Sequence, residues 1–165
     1  MLVSFANWIH ATPLGWAVGG GVPWLWPACE TAHFIGLALL LGCVGLFDLR
    51  MIGMAKGLEL GPLQRLVPWG VFGFVLNVIT GVMFFAGKPY QYLNNYVFWL
   101  KMLFVALAGI NVLLFYATGL QRRVEAVGAG EHAPAAARVV AAVSLLLWFG
   151  VVYWGRMLPF LGTSF

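Results

Sequence analysis

Four long apolar runs govern what this chain can fold into. They extend from Pro27 to about Arg50, from about Pro68 to Gly87, from Tyr96 to Gly119 and from Ala136 to Leu158. Each matches the roughly 20 apolar residues that a helix needs to cross a bilayer. Inside hydrocarbon every backbone N–H and C=O must find its partner within the protein, and a helix does this on its own. The runs take up most of the 165 residues, and 62% of the chain is hydrophobic against 8% charged. Soluble domains carry about 25% charged residues, and one of this size could not hide so much apolar surface. The expected fold is all-α: an integral membrane four-helix bundle over residues 27–165, preceded by an interfacial amphipathic segment over 1–26, with no separate soluble domain.

The opening segment contains no Lys, Arg, Asp or Glu, so it lacks the basic start of a secretory signal. Pro13, Gly15, Gly19–Gly21 and Pro23 interrupt any long helix there. Phe5, Trp8 and Ile9 share one side of a short helix, and Trp8, Trp16, Trp24 and Trp26 suit the depth of the membrane interface. Between the apolar runs lie a loop around 51–67, a short turn around 88–95 and a polar loop around 120–135. The net charge of +4 forms no basic stripe, so nucleic acid is not an expected partner. It reads instead as topology. Arg50, Lys56 and Arg65 flank one loop and Arg122, Arg123 and Arg138 another, whereas only Lys88 and Arg156 mark the opposite side. The positive-inside rule then puts these two loops in the cytoplasm and both termini outside. Cys29 and Cys43 sit about 21 Å apart along one helix, too far for a mutual disulfide.

Ionisable groups at membrane depth cost about 2.5–3.5 kcal/mol on insertion scales, so each needs a reason. Counting inward from the outer helix ends, Glu30 and His33 lie about 4 and 9 Å deep in the first helix and Lys101 about 8 Å deep in the third. Arg156 is near the outer end of the fourth. Three helices thus deliver these groups to one outer layer, with Glu30 and His33 on the same face. Two readings stand: a haem iron ligand at His33 with cations for the propionates, or a polar cluster that fixes helix packing. On the second helix Gly70, Gly73, Asn77, Thr80 and Gly81 form a small-residue face, which serves either close helix approach or a flat ligand such as a porphyrin. Asn77, Asn111 and Ser144 could form a deeper hydrogen-bonded layer. Asp48 and Arg50 read as an interfacial pair or a helix-terminus device. His10 could fold over the outer mouth towards His33 as a second ligand, as could Met83, Met102 or Met157, while His132 reads as a solvated loop residue.

The string Trp26-Pro27-x-x-Glu30-x-x-His33-x-x-Gly36, with Gly42, Asp48-Leu49-Arg50-x-x-Gly53, Thr80-Gly81, Phe98-x-x-Lys101, Asn111 and Gly155-Arg156, resembles a family of bacterial four-helix membrane proteins without an assigned function. More distantly, His33 and the opening of the third helix are similar to the copper-resistance protein D group and to the haem-b membrane protoporphyrinogen oxidase. That resemblance implies a bacterial inner-membrane location, His33 as a haem ligand and Lys101 as the third-helix lysine. The chain departs from it at Asn111, where a second histidine is expected. The leading expectation is a redox subunit that binds haem b, or a quinone, near the outer leaflet and exchanges electrons with a partner. His33 and His10 are its candidate metal ligands, with Glu30, Lys101, Arg156, Gly73, Asn77 and Gly81 around the cofactor. The alternative is a non-catalytic accessory subunit anchoring a larger membrane complex or a homo-oligomer. Copper handling ranks below both, because Met and Cys are not gathered at helical spacing. A self-contained hydrolase has no support, since no serine has evident His and Asp partners.

Overall fold

The computed structural model of the protein describes residues 2–161. The amino-terminal segment folds as α1 (Leu2–His10) and α2 (Pro13–Trp16), followed by a π-helical turn over Ala17–Gly21. Thr12 caps α2, its hydroxyl oxygen accepting from the Gly15 N–H at 3.1 Å. Gly20, with φ of 133°, turns the chain out of the π turn. There follow α3 (Leu25–Ile52), α4 (Leu60–Gln64), α5 (Val67–Gly87), α6 (Pro89–Leu93), α7 (Tyr96–Ala117), α8 (Leu120–Glu125) and α9 (Ala135–Met157). Four helical stretches, with α4 leading into α5 as one of them, are long and apolar enough to cross a membrane. The protein is a multi-pass, all-α membrane protein. Its long helices begin and end close to the boundaries expected from the apolar runs. The short helices α4, α6 and α8 occupy segments expected to be irregular.

The long helices pack in the order α5, α3, α9, α7. Between α3 and α5 the backbones nearly touch: a Cβ on Gly73 would stand 2.5 Å from the Gly36 carbonyl oxygen, and one on Gly36 would stand 2.6 Å from Asn77 Nδ2. Between α7 and α9, Gly150 leaves the space that the Phe104 ring fills. Buried Leu40, Ala108, Leu147, Trp148 and Val151 form the mid-bundle core. A second core at the loop end joins Phe47, Met51, Phe115, Ala137 and Ala141 to Leu60 and Val124 of the short helices. At the end that carries both termini, Asn95 caps α7 by accepting from the Val97 N–H at 3.0 Å and donates to the Leu158 carbonyl at 3.0 Å. Tyr90 donates to Asn7 and so ties α6 to α1. Here α5 and α7 meet, with Phe85 stacked on Phe98 at 6.0 Å. Towards the loops they separate, leaving a cleft floored by α3 and α9.

Asp48 and Arg50 do not form the expected pair. Two residues apart on a helix, their side chains leave in different directions. Arg50 is fully buried and is the helix-terminus device: Nε donates to the Leu58 carbonyl at 2.5 Å, and the guanidinium reaches the carbonyls of Gly128 at 3.0 Å and Glu131 at 3.3 Å. It thereby clamps two loops to the end of α3. The Asp48 carboxyl instead lies beside Ser144 of α9, in the wall of the same cleft.

Candidate functional site

Half-buried His33 stands on α3, with its Nδ1 2.7 Å from the Thr80 hydroxyl oxygen on α5. Thr80 is buried and donates its one hydroxyl hydrogen to the Leu76 carbonyl at 2.8 Å, the ordinary back-bond of a helical threonine. Its oxygen is left to accept, so Nδ1 of His33 is the protonated nitrogen. In the neutral ring Nε2 then carries the lone pair. No hydrogen-bond partner meets Nε2 among the described residues. The Phe84 ring packs beside the imidazole, 5.5 Å between centroids.

Around this ring the structure gathers part of the expected outer layer. Lys101 of α7 lies along α9, where a Cβ on Gly155 would be 3.6 Å from its Nζ, and its charge acts on His33. Glu30 is exposed and accepts from the Trp26 indole at 3.0 Å. The Trp26 ring faces Phe84 at 5.0 Å and carries the Lys88 ammonium 4.7 Å from its centroid, a cation–π contact. Tyr92 of α6 packs on Phe85 and Phe98, 6.2 and 5.4 Å between centroids, within reach of the Glu30 charge. Burial first, and the negative charge of Glu30 second, push its phenol up to about 12. The phenol therefore stays protonated throughout the physiological range. One turn outward from His33, buried Cys29 donates to Met83 at 3.7 Å, which places Met83 beside the layer.

Other expected members lie elsewhere. Arg156 is exposed, its guanidinium 5.1 Å from the Phe160 ring centroid. His10 is exposed and packs over Gly19, which itself abuts the Gly87 carbonyl. Gly87 and Thr80 are seven residues apart on α5, so His10 and His33 contact levels about 10 Å apart. Gly73 and Asn77 serve close helix approach, since α3 fills their face. Asn77 donates to its own helix at Gly73, 2.9 Å, and its Oδ1 is buried without a partner. That face does not fit a porphyrin. Gly81 differs: nothing stands within 4 Å of a Cβ built on it, leaving a notch one residue beyond Thr80. Of the deeper polar residues, Asn111 bridges α7 to the Val140 carbonyl of α9 at 3.1 Å, but Asn77 does not join it or Ser144.

Thr80 enters the sequence reading only in the small-residue face and the Thr80-Gly81 motif, not as a partner of His33, and its register against His33 depends on the α3–α5 crossing. Tyr92 lies outside the apolar runs, where a tyrosine is unremarkable. Among the described residues no three His, Cys, Asp or Glu side chains converge as a metal site. A metal at His33 would have to bring most of its ligands with it. Comparison with protein-family models, curated proteins and solved structures finds no match.

Proposed function

We propose that the protein is a membrane-embedded redox subunit that holds haem b through Nε2 of His33 and exchanges electrons with a partner in the membrane. The observation that carries this reading is the Thr80 oxygen on Nδ1. Histidines that bind metals characteristically donate their other N–H to an oxygen, which fixes the tautomer and aims the lone pair. A porphyrin supplies its own four nitrogens, so one imidazole suffices where no cluster of protein ligands exists. His33 fits that part, and Lys101 offers a cation for a propionate. Gly73 and Asn77 take no part, because α3 occupies their face. Haem b, when bound, supplies one-electron transfer at a potential set by its ligand and surroundings. Phe84, packed beside the imidazole, limits water around it.

A quinol at the same imidazole is the second reading, favoured by the same bare Nε2. That atom accepts a hydrogen bond from a hydroxyl, whereas a quinone carbonyl would need the N–H that the tautomer places on the other nitrogen. The setting in this reading is a bacterial inner membrane, and the distribution of Lys and Arg supports an orientation with both termini in the periplasm and the Arg50-clamped loops in the cytoplasm. The layer then lies under the periplasmic surface, where a larger complex or a second copy would meet it.

The test is haem titration of the purified protein, read by the Soret band before and after reduction. A Soret band that saturates near one haem per chain and is lost in His33→Ala supports the proposal. A preparation that takes up no haem, with His33→Ala indistinguishable from the parent, contradicts it and leaves the anchoring role.

A further inference from the structure

The cleft between α5 and α7 is a second feature of the bundle, on the loop side of the outer layer. Its volume is about 370 Å³, within the range of small-molecule sites. The walls are almost wholly apolar, from Leu40 and Val44 on α3 to Val105 and Ala108 on α7. Val71, Val112, Leu113 and Tyr116 line it and are also exposed on the outside of the bundle, so the cleft is reached from the lipid flank.

Two of its lining side chains are out of keeping with such a place. Asp48 and Trp148 are 4% and 8% exposed, and both Asp48 Oδ2 and Trp148 Nε1 are buried without hydrogen-bond partners. Ser144 lies beside the Asp48 carboxyl, and the Oδ2 oxygen is left unmet. Water is scarce at membrane depth, so orphaned polar atoms there call for another partner.

We propose that this cleft binds a neutral, lipid-soluble molecule through a hydroxyl group that bridges Trp148 and Asp48. The indole N–H can only donate, and a carboxyl oxygen that carries no proton can only accept. A hydroxyl is the simple group that answers both, its oxygen accepting from Trp148 and its hydrogen going to Asp48. An anionic head group carries no hydrogen for the carboxyl oxygen, and an ammonium could not accept from Trp148. The apolar remainder of the molecule lies against the valine and leucine walls. Quinols and glycerides share this chemistry. The inference rests on the cleft and its two orphaned atoms, and is independent of haem at His33.

The experiment measures equilibrium binding of decylubiquinol, 1-monoolein and decane to the full-length protein in lipid nanodiscs. The hydroxyl-bearing probes are expected to bind at least about tenfold more tightly than decane, and Asp48→Leu and Trp148→Phe are each expected to remove about that factor. Leucine puts an apolar side chain of similar shape in place of Asp48 and phenylalanine keeps an aromatic ring at Trp148, so decane binding serves as the check that the cleft persists. A preference between the two hydroxyl probes identifies the source of the ligand. His33→Ala leaves the monoolein and decane affinities unchanged, separating this site from the outer layer. Hydroxyl probes that bind no better than decane, or affinities unmoved by both substitutions while decane still binds, overturn the proposal.

Discussion

An imidazole under hydrocarbon is held by whatever satisfies its N–H, and at His33 that is one threonine oxygen. The tautomer follows from a neighbour's neighbour: because Thr80 gives its hydrogen to Leu76, it can only receive from His33. Thr80→Val keeps the shape of the side chain and removes the acceptor. It is expected to lower haem affinity by about 10–100-fold, the usual cost of losing a ligand's hydrogen-bonding partner, measured by the same Soret titration. Thr80→Ser, which keeps the oxygen, is expected to stay close to the parent. His33 itself was legible in the sequence, since an ionisable residue inside an apolar run stands out at once. Thr80 was not, because a helical threonine that back-bonds is ordinary until another helix brings a donor to it. Asp48 read as a helix-end charge, and only the packing of the bundle leaves its second oxygen, like the Trp148 indole N–H, buried and unmet.

Packing of α3 on α5 decides which of two readings the small-residue face takes. Gly36 and Gly73 bring the backbones into contact, so the face buries a helix and not a flat ligand. Gly73→Ala would set a methyl 2.5 Å from a backbone carbonyl oxygen and is expected to destabilise the bundle by about 1–3 kcal/mol. Gly81→Ala, with open space within 4 Å, is expected to be neutral or slightly stabilising because alanine favours helix. Thermal unfolding of both variants in one detergent makes the comparison. The sequence showed the face but could not choose its occupant, since glycine spacing serves both uses equally. The short helices α4 and α8 were also illegible: at five and six residues they have too few apolar positions to set a period. They hold because Leu60 and Val124 reach the loop-end core and because Arg50 clamps the segments beyond them.

At the scale of the whole molecule, the four spans and the all-α class were legible because length and apolarity alone dictate them. Orientation is a separate matter of charge, and labelling checks it. In intact cells, a thiol from Ala129→Cys in the loop between α8 and α9 is expected to react only after the membrane is made permeable. One from Asn94→Cys between α6 and α7 is expected to react with an impermeant reagent from outside. The reverse pattern would invert the bundle and move His33 to the cytoplasmic side. What unites the fold with the proposed chemistry is the state of one ring, set jointly by α3 and α5. Nitrogen NMR of ring-labelled histidine in the haem-free protein, with His33 assigned by its loss in His33→Ala, reads that state directly. The expected result at neutral pH is a proton on Nδ1 and a bare Nε2 whose signal changes when haem is added. A proton on Nε2, or a signal indifferent to haem, would contradict the account.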